Sequence, residues 1–366
     1  MVELRFDGKL YGFFQQFEVS SSVDDLCAQV SLSIAGADDG SSVLSLTPNS
    51  VVEVLVLSQL VATVRIDSIS RSVGPESHSV SVEGRSLGRE LVDCQYSKAM
   101  TSSRLDAVLK QLCSDFKVPL KVLKKTEIVD DFAMQCESPA NALLNAARAA
   151  NALLYPDVNG GLILSDPDNS IPVATLVVGE HFQEYKITEE YRLRFSEYVV
   201  KGYDHAKSSS TKGGVKDDEF SYFRPMHILA DKVGQSLGGC DRRAEMERNR
   251  RNARAYRLEL TVFGFGHDDG VWAINKRVRV VIDNEDIDAV FLISELAFSL
   301  DDSGGSLTRL TVMPREAFIG EKTKKGRTSK AGRRKKGRHK AKSYGKHKPD
   351  DSVQSKKTGN YVKRSK

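Results

Sequence analysis

Little in this sequence announces an enzyme. It contains neither the P-loop string G-x-x-x-x-G-K-[ST] nor the zinc-hydrolase string H-E-x-x-H. No local signature of a phosphate cradle or a catalytic zinc is therefore present, and no nucleophile elbow is expected. Cysteine is scarce: Cys27, Cys94, Cys113, Cys136 and Cys240 include no C-x-x-C pair. An odd, scattered set reads as buried thiols in a reducing compartment rather than disulfides or a zinc site. Five histidines outside the C-terminal tail (His78, His181, His205, His227 and His267) stand far apart in sequence. They read as surface or hydrogen-bonded side chains. Long apolar runs are missing too, none approaching the roughly 18 residues that cross a bilayer. The opening MVELRFDGKLYGFF has no basic stretch leading into an apolar one, so no secretory signal is expected.

Charge is plentiful but unevenly placed. Residues 321–366 hold 19 Lys and Arg against 3 Asp and Glu, a charge of +16, which leaves residues 1–320 at −11 in a chain of +5. Such asymmetry marks a body with an interaction tail. The tail has no core-forming set, so disorder is expected. Its densest run, with Arg333, Arg334, Lys335, Lys336, Arg338 and Lys340, suits a polyanion bound by counterion release. A solvated tail that aids solubility is the other reading. The acidic groups Asp130-Asp131, Asp217-Asp218-Glu219 and 283–288 lack EF-hand spacing and read as solvated loops. A glycosidase carboxylate pair has no spacing rule and stays an open alternative.

Period-2 alternation marks strands over 27–34, 60–69 and 78–84, short extended or β-branched apolar runs mark others over 2–6, 17–19 and 50–57, and turn signals between them suggest a small barrel or sandwich. Leu105, Val108, Leu109, Leu112 and Phe116 then fall at helical spacing, with Ser102 or Ser103 as the expected cap. Pro139 opens a second helix, and Asn159-Gly160-Gly161 turns a hairpin. Strands return at 173–178, 182–188 and 195–203. Residues 208–218 read as a mobile loop, 241–255 as a charged helix, and 256–265, 278–282, 289–300 and 306–313 as strands. Gly264-Phe265-Gly266 resembles part of a dinucleotide fingerprint, but another strand follows it. It therefore reads as a bulge or turn, and Trp272 as a core or seam residue. The fold expected is α+β and β-rich: two similar small β-barrel-like domains with an inserted, peripheral α/β domain, and a disordered basic C-terminal tail. The expected bounds are 1–96, 97–171, 172–320 (with a loop and charged helix around 206–255) and 321–366.

Two stretches carry a resemblance. Residues 80–96, VSVEGRSLGRELVDCQY, are similar to the block that closes the first domain of baseplate hub proteins in Mu-like contractile-tailed phages. Residues 256–317 resemble that family's C-terminal domain through Val262 to Phe265, Gly270-Val271-Trp272-Ala273-Ile274-Asn275, Phe291 to Ser294 and Leu310 to Phe318. The resemblance implies a ring-shaped homotrimer in the virion's tail baseplate, made in the host cytoplasm. It would join a sixfold tail tube to a threefold puncturing spike, touch other baseplate proteins, and let DNA pass during ejection. It implies no enzyme, no cofactor, no metal, and no catalytic or cofactor-binding residue. The rival expectation is a nucleic-acid-binding protein acting through the tail. Arg85 and Asp93 are expected to pair at the exit from the first β region. Strands near 60–69 and 195–203 are the expected joins to neighbouring subunits.

Overall fold

The computed structural model describes residues 2–12, 14–35, 46–47, 49–73, 78–126, 128–204, 209–229, 239–301 and 305–319. The basic tail, with all six candidate polyanion-binding residues, lies outside this set.

Alternating side chains build one large sheet. In chain order its strands are β1 (Val2–Phe6), β2 (Lys9–Tyr11), β3 (Gln16–Ser22), β4 (Gln29–Ala35), β5 (Val51–Val56), β6 (Gln59–Val73) and β7 (His78–Arg85). The later ones are β8 (Ala174–Val177), β9 (Phe182–Glu189), β10 (Tyr256–Phe263), β11 (Arg277–Ile282), β12 (Ile287–Asp301) and β13 (Gly305–Met313). The spatial order is β9-β10-β13-β12-β3-β4-β7-β6-β5-β1-β2, with β11 also on β12 and β8 on β11. The two β regions thus meet at the antiparallel pair β12–β3, in register from Glu295↔Ser22 to Leu300↔Phe17. One apolar core serves both, and holds Phe17, Val30, Val54, Val64, Phe182, Leu260, Val280, Phe291 and Phe298. Burying a side chain such as Phe298 contributes roughly 2–3 kcal/mol.

The polypeptide between the two β regions forms the α/β part. Helices α1 (Arg89–Asp93), α2 (Leu105–Asp115) and α3 (Pro139–Ala149) bury Leu91, Leu109, Leu112, Leu143 and Ala147 in a second core. Two small sheets accompany them: Tyr96–Arg104 with Ile128–Glu137, and the hairpin Leu153–Pro156/Leu162–Ser165 with parallel Leu120–Val122. The expected serine cap of α2 is not used. Ser103 donates to Thr101 O within a strand, and Thr126 Oγ1 accepts from the Asp106 amide at 2.9 Å instead.

The stretch read as a mobile loop contains the strand Ser209–Lys216, paired along Glu197–Asp204. Apolar alternation is missing there because helix α4 (Gly239–Arg254) lies directly on the strand's backbone. A Cβ on Gly213 would stand 2.3 Å from the Asp241 amide nitrogen, so only glycine fits. Helix α5 (Glu316–Ile319) packs against α4 and closes a third small cluster with Val23, Tyr155, Ala253 and Leu292.

Candidate assembly seams and surfaces

The Gly-Arg-Ser block is a seam in which almost every residue has a structural task. Gly84 passes close to the Arg65 carbonyl, where a Cβ would sit at 2.9 Å. The Arg85 guanidinium, as expected, grips Asp93 with two hydrogen bonds of 3.0 and 2.6 Å, and it also holds Asp67. Arg89 pairs with the same Asp67 and with Glu90, and Glu90 meets Arg65. Ser86 is fully buried; its amide donates to Ala28 O and its Oγ accepts from the Ala28 amide. Gly84-Arg85-Ser86-Leu87-Gly88 does have the G-x-S-x-G spacing of a nucleophile elbow, on a strand-turn-helix path. A hydroxyl sealed in the core with a backbone partner is not a nucleophile presented to substrate.

These charges set a pH dependence. The hydrogen bonds from Arg85 hold the Asp93 carboxyl below the usual carboxylate range. That stabilisation is complete above the range and is lost as pH falls through the depressed value. Arg85→Ala should cost about 1–2 kcal/mol at neutral pH, and the gap to wild type should narrow on acidification. Urea unfolding at several pH values reads this directly. A gap that is absent, or constant with pH, removes Arg85 from the seam's energetics.

The Gly-x-x-Trp block makes the second seam. Gly264 turns with φ 75°, and residues 266–267 pair with 270–271 as a short hairpin, as the strand reading expected. Trp272 is 4% exposed, sits in the main core and lies against the His267 ring at 4.8 Å. Asn275, in the left-handed region at φ 56°, ties this block to the α/β part. Its Oδ1 accepts from the Asp168 amide, and its Nδ2 donates towards Tyr155 Oη, Ser165 Oγ and Asp166 O at 3.2–3.3 Å.

One face of the large sheet is polar in register across strands. Ser299, Glu18, Ser31, Glu83 and Ser68 form one row, and Gln16, Ser33, Ser81 and Ser70 the next. The other face, through Leu300, Phe17, Leu32, Val82 and Ile69, turns to the core. Three open clefts of about 310–350 Å³ lie along the polar face.

Among the described residues no three His, Cys, Asp or Glu side chains are placed to share a metal ion. His181 accepts from the Val177 amide and His227 is exposed on a strand. Cys27, Cys113 and Cys240 are buried as expected, but Cys94 is half-buried and Cys136 exposed. Burial pushes the Cys27 and Cys113 thiols up to about 12, which leaves them unreactive. The expected joining strand at 195–203 is an inner one, since Glu197–Lys201 has Lys212–Lys216 on one side and Pro225–Leu229 on the other. Edge pairing with another subunit is closed to it. The 60–69 stretch already has one neighbour along its length, β5 up to Arg65 and β7 from Arg65 onward.

Two family models match these two regions. Residues 1–86 match the N-terminal domain of the Mu phage baseplate assembly protein GpP-like family, and residues 238–321 the fourth domain of Mu phage baseplate assembly protein GpP. Both ends of the folded body thus match domains of Mu baseplate assembly proteins. It is 29% identical over 361 residues to baseplate hub protein gp44 of Escherichia phage Mu, covering 90% of this chain and 93% of that one. Although the motif blocks point towards the Mu protein itself, that identity makes this chain a diverged relative of it. Two solved structures share the fold. The 43 kDa tail protein of prophage MuSo2 from Shewanella oneidensis superposes with a TM-score of 0.74 at 23% identity, covering 87% of this chain and 99% of that one. A tail protein from Neisseria meningitidis MC58 gives 0.77 at 22% identity, covering 87% and 98%. The hub family is a structural family of the tail baseplate, and both motif blocks that mark it are packing seams. Sequence reasoning passed over Asn275, Asp67, Arg89 and Gly88 as individuals. Their task depends on partners far away in the chain, and only the block as a whole gives a signal.

Proposed function

We propose that three copies close into a ring-shaped hub in the virion's tail baseplate, between the sixfold tail tube and the threefold spike. The hub acts by geometry, with no catalytic step. Its two β regions supply two wall segments per subunit, so three subunits present six. The observation that carries this is the sheet shared across β12–β3, with one continuous polar face. Serines and carboxylates offer no apolar surface to a moving polymer, and their charge repels phosphates. That face is proposed to line the channel for DNA, with the +16 tail as a contact for a polyanion. The α/β part would lie at the periphery.

Light scattering on the full-length chain, and on one ending near Gly320, tests the ring. A mass of three chains is expected for both. A strictly monomeric body at micromolar concentration counts decisively against the hub geometry.

A further inference from the structure

On one face of α4, Arg243, Glu247, Arg250, Arg251 and Arg254 follow helical spacing, and Arg148 of α3 joins them around a cleft of about 440 Å³. Five guanidinium groups thus meet one carboxylate, in a body whose net charge is negative. The positive charge is only partly answered within the fold. Arg251 pairs with Glu247 and lies over the Phe195 ring. Arg254 and Arg148 share the single carboxylate of Asp24 at the rim. Arg250 is 6% exposed and, among the described residues, donates to neutral oxygens, Arg148 O at 2.9 Å and Asn151 Oδ1 at 3.3 Å. Nη1 of Arg243 is buried without a hydrogen-bond partner among the described residues. Buried cations are normally paired, because leaving one unpaired is costly. Burial, offset in part by Glu247, together with the charges of Arg243, Arg254 and Arg148, pushes Arg250 down to about 10. The cleft therefore holds more positive charge than its own walls balance.

We propose that this cleft is an oxyanion-binding site, taking a multiply charged carboxylate or phosphate group between Arg243, Arg250 and Arg251. Guanidinium forks match such oxygens in pairs, and the cleft is wide enough to admit more than one carboxylate. The chain's own tail is excluded as occupant by its positive charge. Two sources share the required chemistry: clustered Asp and Glu side chains of a neighbouring protein chain, and free inorganic phosphate. The proposal stands independently of the ring.

Calorimetric titration of the full-length chain tests it, at constant ionic strength, with inorganic phosphate in one arm and hexaglutamate in the other. The tail is identical in wild type and in every variant, so its own binding is a common background, and the difference between wild type and variant in each arm reports the cleft. Saturable binding is expected. Arg243→Gln should weaken it about tenfold, the scale of one charge-assisted contact. Glu247→Gln should tighten it severalfold, a change of opposite sign that a merely structural role for these residues does not produce. Thermal unfolding without anion checks that each variant is folded; Arg243→Gln should lose no stability there, since it relieves repulsion. Tighter binding of hexaglutamate than of phosphate identifies a carboxylate-bearing neighbour, and the reverse identifies a free oxyanion. No saturable binding in either arm, or equal affinities in wild type and both variants, overturns the site.

Discussion

Gly88→Ala should destabilise the protein by about 3 kcal/mol or more. An added Cβ would stand 2.0 Å from the Leu26 carbonyl oxygen and 3.0 Å from its carbon. Both are backbone atoms, so no side chain can swing aside. Gly88 also precedes α1, which carries Leu91 into the second core. Relieving the clash means separating the first β region from the helices behind it. With total stability of roughly 5–15 kcal/mol for such a fold, the loss should appear as a large drop in urea midpoint and in soluble yield. Gly8→Ala provides the contrast. Gly8 has φ 73° with nothing within 4 Å of a new Cβ, so only the left-handed backbone penalty of about 1 kcal/mol applies. Equal midpoints for the two variants would show that the close approach at Gly88 relaxes freely.

Asn275→Leu should cost about 2–3 kcal/mol. It strands the Asp168 amide and removes a donor from Tyr155 Oη, Ser165 Oγ and Asp166 O, which keep only the hydrogen bonds that Ser165 Oγ makes to the other two. Each unsatisfied buried group costs roughly 1–3 kcal/mol. Leucine also tolerates φ 56° less well than asparagine. Asn275→Asp separates the terms. It keeps the acceptor towards the Asp168 amide but places a carboxylate beside the Asp166 carbonyl. Its deficit should shrink at low pH, where a protonated carboxyl can donate to that oxygen. Chemical denaturation of both variants at pH 7 and pH 4 reads the difference. A pH-independent deficit in Asn275→Asp would assign the effect to backbone conformation instead.

Much of the architecture is legible where a strand has one wet and one dry face. Phe17 and Val19 against Glu18 and Ser20 identify β3 from its own residues. The strand Ser209–Lys216 is illegible for the opposite reason. Its Gly213 is required by a helix that arrives from elsewhere in the chain, and Gly214 lies close to the Tyr198 carbonyl of the neighbouring strand. The cap on α2 fails in the same way, since Thr126 reaches it from beyond the end of the helix. The seams are legible as blocks but not as contacts. Nothing local says that Asn275 reaches Tyr155, or that Arg85 takes Asp67 as well as Asp93. The arginine cleft has a local trace, the helical spacing from Arg243 to Arg254. A charged helix read alone looks solvated, and only Arg148 and the burial of Arg250 turn that stripe into a cavity wall.

The pairing of β3 with β12 joins residues from opposite ends of the folded body. On the ribosome, β3 emerges with nearly all of the body still unmade, and its partner is among the last strands to appear. Until then the edge of β3 that faces β12 has open backbone groups, and the apolar face behind it lacks half of its core. Closing so long a loop is slow, and an open strand edge invites pairing with other chains. The two halves of the sheet cannot complete their shared core separately. A subunit ready for assembly is therefore a finished chain, and truncated products lack the strand that would let them compete for a place in the baseplate.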